Sequence, residues 1–546
     1  MLHKSKMIHH NGENNTLEKQ TNSDLITVDT FSGRVHIDWE PNAAVTPNGQ
    51  MAFFIEFLKT AGVFDNFVKD CPLVYTSNNA CKNRDIIGTL LMSVLSGYTR
   101  YTHISALRND GVNPPMLGMS KVVSEDSIRR ATKSIEEQAG NIWLEKHLKR
   151  SYMPLLTIPW IMDIDATTKT LYGTQEGAEV GYNASKPGRP SHTYHTYHIA
   201  NIRMILEVAV EDGKSGAGCY SAPRLWRLLD ELPKEYWPAF IRGDASYGNE
   251  GIMKEAEKRK LKYLFKLKCT TKVKRLIAAM MTKKTEWTAA SQGWEGVNSE
   301  LTLSGWTASR RIVLLRKKLP RDNIGITKKS KTGKQIEFFF AGIDTDVNAY
   351  EYQILVTNID DSVMAIAQHY RDRADCENNF DELKNQWGWC GYTTQDLKRN
   401  RFMAKITALV YNWWTIFTRL ANPDSHLEAI TSRPLLLNAI AKQTTHAGQT
   451  KVTITSTHCK SEKISLILSK ISTFFKYLKS DAEQLTSEQR FFRILMTAFR
   501  KFLPQGRCEY FPLIPSWNVF EIKYKYLEDL SDLKNYMRSA LRGCRV

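Results

Sequence analysis

From Met51 to about Gly140, apolar residues recur at helical spacing. Phe53, Phe54, Phe57, Leu58 and Val63 share one face, and a second helix is predicted after Asn83, carrying Ile86, Ile87, Leu90, Leu91 and Val94. Ser124 followed by Glu125 and Asp126 signals a helix start, and that helix carries Arg129, Arg130 and Lys133. At Trp160 the period changes to two, so Trp160 to Asp165 reads as a buried strand. Residues 170–191, rich in Gly and Pro, read as a long loop. Strands are then expected over residues 195–202, 204–210, 239–241 and 263–267, with helices over 221–232 and 249–258 between them. That order describes a mixed α/β layer.

Residues 270–349 interrupt it. They hold Trp287, Trp294, Trp306 and β-prone runs such as 311–315, and read as an all-β insertion. Residues 352–357 return as a strand. One long helix is expected over 361–387, and 402–420 is a strong helical segment. The plan is therefore a flexible leader (1–45), a helical region (46–150), a core in two parts (151–269 and 350–420) flanking the β-rich insertion (270–349), and a helical C-terminal region (421–546).

Composition adds three constraints. With 546 residues and 42% hydrophobic side chains, the chain can bury a large core and is unlike a disordered one. Lys and Arg exceed Asp and Glu by 75 to 57, a net +18 that favours a polyanion, either nucleic acid or an anionic membrane. No stretch approaches the roughly 18 apolar residues of a membrane span, so no membrane partner is expected. Nine cysteines without a CxxC pair argue against a disulfide framework or a zinc ribbon and fit a reducing compartment. The polar N-terminal stretch contains no signal-peptide pattern, so a cytoplasmic location is expected. On this charge background the helix with Arg129, Arg130 and Lys133 reads as a DNA-recognition helix, with a solvated amphipathic helix as the alternative.

Four acids stand out. Asp163 and Asp165 alternate with Met162 and Ile164, which puts both, with Thr167, on one strand face. A buried strand seldom carries two acids without a counter-charge. Asp244 ends the apolar run 239–243 in a Gly-bearing turn, the kind of strand end where ligands gather. On the expected helix, Tyr370, Arg373, Glu377 and Lys384 fall within an arc of roughly 60°. One face then presents a phenol, a guanidinium, a carboxylate and an ammonium, a set that suits a metal-bound phosphodiester. The bland alternatives are a solvated strand end for Asp163 and Asp165, an N-cap of the next helix for Asp244, and an ordinary i,i+4 ion pair for Glu377.

The spacing Tyr-x2-Arg-x3-Glu-x6-Lys resembles the signature of a large group of bacterial insertion-sequence transposases with a DDE active site. Asp165–Ala166–Thr167 resembles that group's Asp-x-Thr, and Arg242 to Gly248 its second-Asp turn. Gly173 to Ala178, Gly181–Tyr182–Asn183 and Lys186 to Ser191 resemble a loop stretch found in one branch. The resemblance covers about residues 155–420. It implies an RNase H-like core with a β-rich insertion, and a DNA endonuclease that cleaves and joins strands in cut-and-paste transposition. It also implies Asp165, Asp244 and Glu377 as catalytic residues holding two Mg²⁺ ions, with Mn²⁺ as a substitute. Asp163 remains a rival to Asp165. The expected partners are double-stranded DNA, as terminal inverted repeats and target, and a second copy of the chain in a homodimer. The location implied is the bacterial cytoplasm, at the nucleoid. The alternative function is a DNA-binding relative that has lost catalysis.

Tyr370, Arg373 and Lys384 are the implied phosphate contacts. Lys186 and Arg189 lie in the loop after the first acid and are read as DNA contacts or as solvated loop cations. Trp287, Trp294 and Trp306 are read as core, with stacking on an unpaired base as the alternative. His192, His195 and His198, spaced by three on a strand, alternate faces and read as structural.

Overall fold

The computed structural model describes residues 26–40, 43–75, 77, 79–157, 159–282, 285–319, 349–480 and 484–502. The chain divides into two compact units, Met1–Ala44 and Val45–Val546. In the first, β1 (Ile26–Thr30) and β2 (Gly33–Ile37) form an antiparallel hairpin with every residue exposed. The described part of the expected leader is therefore not irregular.

The second unit opens with β3 (Val45–Thr46) and a helical stretch: α1 (Met51–Ala61), α2 (Val63–Lys69), α3 (Asn83–Leu95), α4 (Ile104–Leu107), α5 (Asn113–Met116), α6 (Glu125–Ser134) and α7 (Glu137–Tyr152). α1 buries Phe54, Phe57 and Leu58 and stops at Gly62, whose φ of 63° supplies the left-handed cap. Ser124 caps α6 by accepting the Ser127 amide.

The α/β part follows: β4 (Ile161–Thr170), β5 (Glu179–Val180), β6 (Pro190–Ile199), β7 (Met204–Asp212), α8 (Ala217–Asp230), β8 (Phe240–Gly243), α9 (Glu250–Lys258) and β9 (Tyr263–Lys266). Next come α10 (Thr271–Thr282), β10 (Thr288–Ala289), β11 (Trp294–Leu301), β12 (Arg310–Lys318), β13 (Tyr350–Thr357), α11 (Val363–Arg371), α12 (Ala374–Asn385) and α13 (Leu397–Ala421). One mixed ten-stranded sheet runs β10-β11-β12-β13-β9-β8-β4-β6-β5, with β7 also paired to β6. Only β4–β8 and β8–β9 are parallel pairs.

Three expectations change. Residues 270–349 are not all-β, because α10 opens them, and their described strands do not form a separate sheet. β13 returns antiparallel to β9, and β12, β11 and β10 fold back in turn onto its open edge, where their backbone groups find partners. Residues 320–348 lie outside the described ones. The long helix is two helices, α11 and α12, broken at Asp372 and Arg373. The C-terminal region is not wholly helical. After α14 (Ala429–Leu436) it holds a hairpin of β14 (Ala441–His446) and β15 (Gln449–Ile454), before α15 (Ser461–Ser480) and α16 (Ser487–Ala498). Ala447 and Gly448, both at positive φ, close that hairpin with the twist a two-residue turn requires.

α13 is buried along almost its whole length and packs against β7, α7, α3 and α16. Buried on every side from Phe402 to Leu420, it is the central strut of the second unit. Among the described residues no helix is long and apolar enough to cross a membrane.

Candidate active site

β4 lies between antiparallel β6 and parallel β8. Its pleat puts Asp163, Asp165, Thr167 and Lys169 on one face; the first three meet cations, and Lys169 meets a carbonyl. Both oxygens of Asp163 are taken by Arg242, from Nε at 2.5 Å and Nη2 at 2.7 Å, with the two side chains 1% and 2% exposed. Arg242 also donates through Nη1 to the His369 carbonyl on α11. Asp163 therefore belongs to a core ion pair that ties β4, β8 and α11 together.

Asp165 is different. Its Oδ1 accepts the Ala166 amide at 2.8 Å, and its Oδ2 accepts Arg373 Nη2. Arg373 Nη1 donates in turn to Glu377 Oε1 at 2.9 Å, so one guanidinium bridges the first and third acids. Two residues along β4, Thr167 Oγ1 accepts Lys384 Nζ at 3.1 Å, and beyond it Lys169 Nζ donates to the Gly391 carbonyl at 2.5 Å. The parallel pairing of Ile164 with Gly243 carries Asp244 to the level of Asp165 at the next step. Asp244 Oδ1 accepts the Ser246 amide at 2.8 Å and shapes its own turn, while Asn249, not Asp244, caps α9.

These groups share one electrostatic environment. Burial pushes the Asp165 carboxyl up to about 7. Arg373 opposes the shift, and the charges of Asp244 and Glu377 add to it. Burial pushes the Tyr370 phenol up to about 12. Arg373 again opposes, and all three acids add. Burial would lower Arg373, but Asp165 in the first place holds it above its ordinary value.

Among the described residues, no three His, Cys, Asp or Glu side chains converge closely enough to hold an ion as they stand. Arg373 lies between Asp165 and Glu377, and the Glu377 side chain is 67% exposed. The donor chemistry nevertheless suits a hard cation: Asp165, pushed up by burial and by the charges of Asp244 and Glu377, gains from a positive charge among them.

The break between α11 and α12 sets Tyr370 at the end of one helix and Arg373 at the start of the next, so the expected continuous face is divided. Arg373, Glu377 and Lys384 still meet β4. The other predicted cations lie elsewhere. Arg129 is half-buried with its guanidinium 4.6 Å from the Tyr101 ring centre, and Arg130 and Lys133 are exposed on α6. Lys186 and Arg189 are exposed in the loop after β4, around Tyr172. Trp287 and Trp306 carry Arg316 and Arg310 over their rings, at 3.9 and 5.1 Å from the ring centres. Trp294 packs against a buried cluster that includes Val313 and Leu315.

His192, His195 and His198 are buried along β6. They pair with the Glu176 carbonyl, the Ser221 hydroxyl and the Asn379 amide. Burial first of all lowers His195 to about 4 and His198 to about 3.

Sequence reasoning missed Arg242, Glu176 and Lys169. Arg242 stands two residues before Asp244, and nothing local marks it as the partner of an acid on another strand. Glu176 is the acid of the Gly-bearing loop stretch. Its Oε2 accepts the Leu397 amide at 2.9 Å at the start of α13, and its own amide donates to the Gln395 carbonyl at 2.8 Å.

Asp165 within β4, Asp244 just past the end of the adjacent parallel β8, Glu377 on the facing α12, and Arg373 and Lys384 beside them are thus brought together as one group of acids and cations. A family model described as Transposase DDE domain group 1 matches residues 73–475, and the chain belongs to this family of DDE transposases. Members of the family cleave DNA and generally use divalent metal ions. No curated protein matches the chain. Among solved structures, a cryo-EM structure of the piggyBac transposase synaptic complex with hairpin DNA matches over 90% of this chain and 92% of that one, at 11% identity and a TM-score of 0.35. A likeness that loose transfers no detail to this chain.

Proposed function

We propose that the chain is the transposase of a bacterial insertion sequence, acting in the cytoplasm at the nucleoid. It cleaves DNA at the element's terminal inverted repeats and joins the freed ends to target DNA by cut-and-paste transposition. The observation that carries this reading is the link from Asp165 through Arg373 to Glu377, with Lys384 on Thr167 beside it. The Tyr-x2-Arg-x3-Glu-x6-Lys spacing thus meets the face of β4 that bears Asp-x-Thr. An RNase H-like core is supported by the central strands β7-β6-β4-β8-β9, a mixed sheet with helices packed on it.

In this reading Asp165, Asp244 and Glu377 hold two divalent cations, Mg²⁺ with Mn²⁺ as a substitute. When bound, these supply Lewis-acid polarisation of the phosphodiester. The chain's own residues do the positioning. Arg373 and Lys384 are the charge-assisted donors for phosphate oxygens. Tyr370, held protonated far above neutral pH, donates as a phenol. Arg373 serves as the counter-charge of Asp165 before a cation does, opposing the effect of burial and orienting the acid. Asp163 takes no part in this chemistry, because it is locked to Arg242 in a fully buried two-point pair, whereas the Asp165 side chain keeps 15% of its surface exposed. Excision through a hairpin at each end follows if Tyr370, Arg373 and Lys384 act together. A homodimer on DNA follows from the need to bring two ends together.

The test is cleavage and strand transfer by purified protein with Mg²⁺ and the flanking repeats. Asp244→Ala and Glu377→Ala are expected to abolish both activities while retaining DNA binding. Wild-type rates in either variant would remove the assignment. Cleavage without joining would make the chain a nuclease, and binding without cleavage by the wild type would make it a regulatory relative.

A further inference from the structure

The loop between β4 and β6 is built to present an aromatic ring among cations. Tyr172 is 69% exposed and Tyr182 83% exposed. Lys186 Nζ lies 5.1 Å and the Arg189 guanidinium carbon 5.8 Å from the Tyr172 ring centre. The acids of this loop, Glu176 and Glu179, are committed to the Leu397 amide and to Lys214. No neutralising carboxylate from the loop is therefore left for the two cations.

The loop is also pinned. Buried Asn183 donates to Thr170 Oγ1 at 3.1 Å and accepts the Lys186 amide at 3.0 Å. The Leu171 amide donates to the Pro190 carbonyl at 2.9 Å. Gly181 and Gly213 meet so closely that a Cβ on Gly181 would fall 1.7 Å from the Gly213 carbonyl oxygen. Holding exposed tyrosines beside two cations on an ordered loop leaves apolar ring surface in water and ties down long side chains. A bound ring and phosphates would offset both costs.

We propose that Tyr172, Lys186 and Arg189 form a platform for single-stranded DNA, with a base stacked on the tyrosine and phosphates on the two cations. This deepens the reading of the chain as a DNA-processing enzyme and rests on it. Tyr172 lies seven residues beyond Asp165 along the strand and its exit, roughly 20 Å at strand rise. At the spacing of a stacked strand, the gripped nucleotide is about six from the phosphate at Asp165. Trp287 and Trp306, under Arg316 and Arg310, are half-buried, whereas Tyr172 and Tyr182 are mostly exposed.

The experiment measures binding of the full chain, in EDTA, to fluorescein-labelled dT20 and to a blunt 20-base-pair duplex by anisotropy. Tyr172→Ala is expected to weaken dT20 binding about tenfold, and Tyr172→Phe to retain it. The Lys186→Ala/Arg189→Ala double variant is expected to reduce the salt slope for dT20 by about 1.4. Duplex binding stays as in the wild type in all three. Unchanged dT20 binding in the alanine variants overturns the platform, as does an equal loss on dT20 and duplex. Cleavage by Asp244→Ala is measured separately with Mg²⁺, so a failed catalytic assignment is distinguished from a failed platform.

Discussion

Asp163 and Asp165 are two residues apart on one strand face, yet they sit in opposite circumstances, and substituting each in turn separates them. Asp163→Asn keeps the size of the side chain and removes its charge. Arg242, with its side chain 2% exposed, then keeps an amide oxygen and the His369 carbonyl but no counter-ion. Breaking a buried pair from one side costs about 3–5 kcal/mol, a large fraction of the 5–15 kcal/mol of a typical domain. The urea midpoint is expected to fall by about 1 M or more. Asp163→Leu with Arg242→Met removes both charges and is expected to recover most of the loss, because apolar replacement of a buried pair is often neutral. It does not restore the tie to His369, so Tyr370 and Arg373 lose a support and cleavage stays impaired although stability returns. Asp165→Asn leaves Arg373 paired with Glu377, so its cost in stability is smaller, while its cleavage is lost. The assay is equilibrium unfolding beside cleavage for each variant. If Asp163→Asn left stability unchanged and abolished cleavage, while Asp165→Asn still cleaved, the reasoning would be refuted and Asp163 would be the functional acid.

Two further outcomes follow from residues away from the acids. Glu176→Ala removes the acceptor of the Leu397 amide at the start of α13 and is expected to cost about 1–2 kcal/mol, with Glu176→Gln closer to the wild type. An unchanged thermal midpoint in the alanine variant would show that α13 needs no such anchor. His198, lowered to about 3 by burial, is neutral in the fold, whereas an unfolded histidine titrates near 6.5. Its contribution to stability is therefore fully present above about 6.5 and is lost as the pH falls toward 3. Between pH 6.5 and 4.5 that is about 2 kcal/mol, so His198→Asn should unfold with a visibly flatter pH dependence over this interval. Parallel curves for variant and wild type would contradict the assignment of a neutral buried imidazole.

Helical periodicity was enough to locate α3 and the 25-residue α13, because an apolar stripe or an apolar helix is a local pattern. Period two and the Gly-bearing turn were enough to place Asp165 on a strand and Asp244 at a strand end. The same logic failed at the 361–387 helix, where local spacing runs smoothly through Asp372 and Arg373. The break there is accompanied by a bond from Arg373 to Asp165, 208 residues away. It failed again for residues 441–454, a Thr-rich polar stretch whose hairpin pairs with β3 nearly 400 residues earlier in the chain.

The sequence by itself thus determined the strongly periodic helices and the central strands, the candidate acids and the cations on the helix that faces them. It left Asp163 and Asp165 as rivals, because both satisfy the same alternation. Only the tertiary structure separated them, by bringing Arg242 from 79 residues away onto one and Arg373 onto the other. Only the tertiary structure, too, joined the inserted strands to the core sheet. Strand pairing and ion pairing are long-range choices, decided by which backbone edges and which charges meet once the chain has folded.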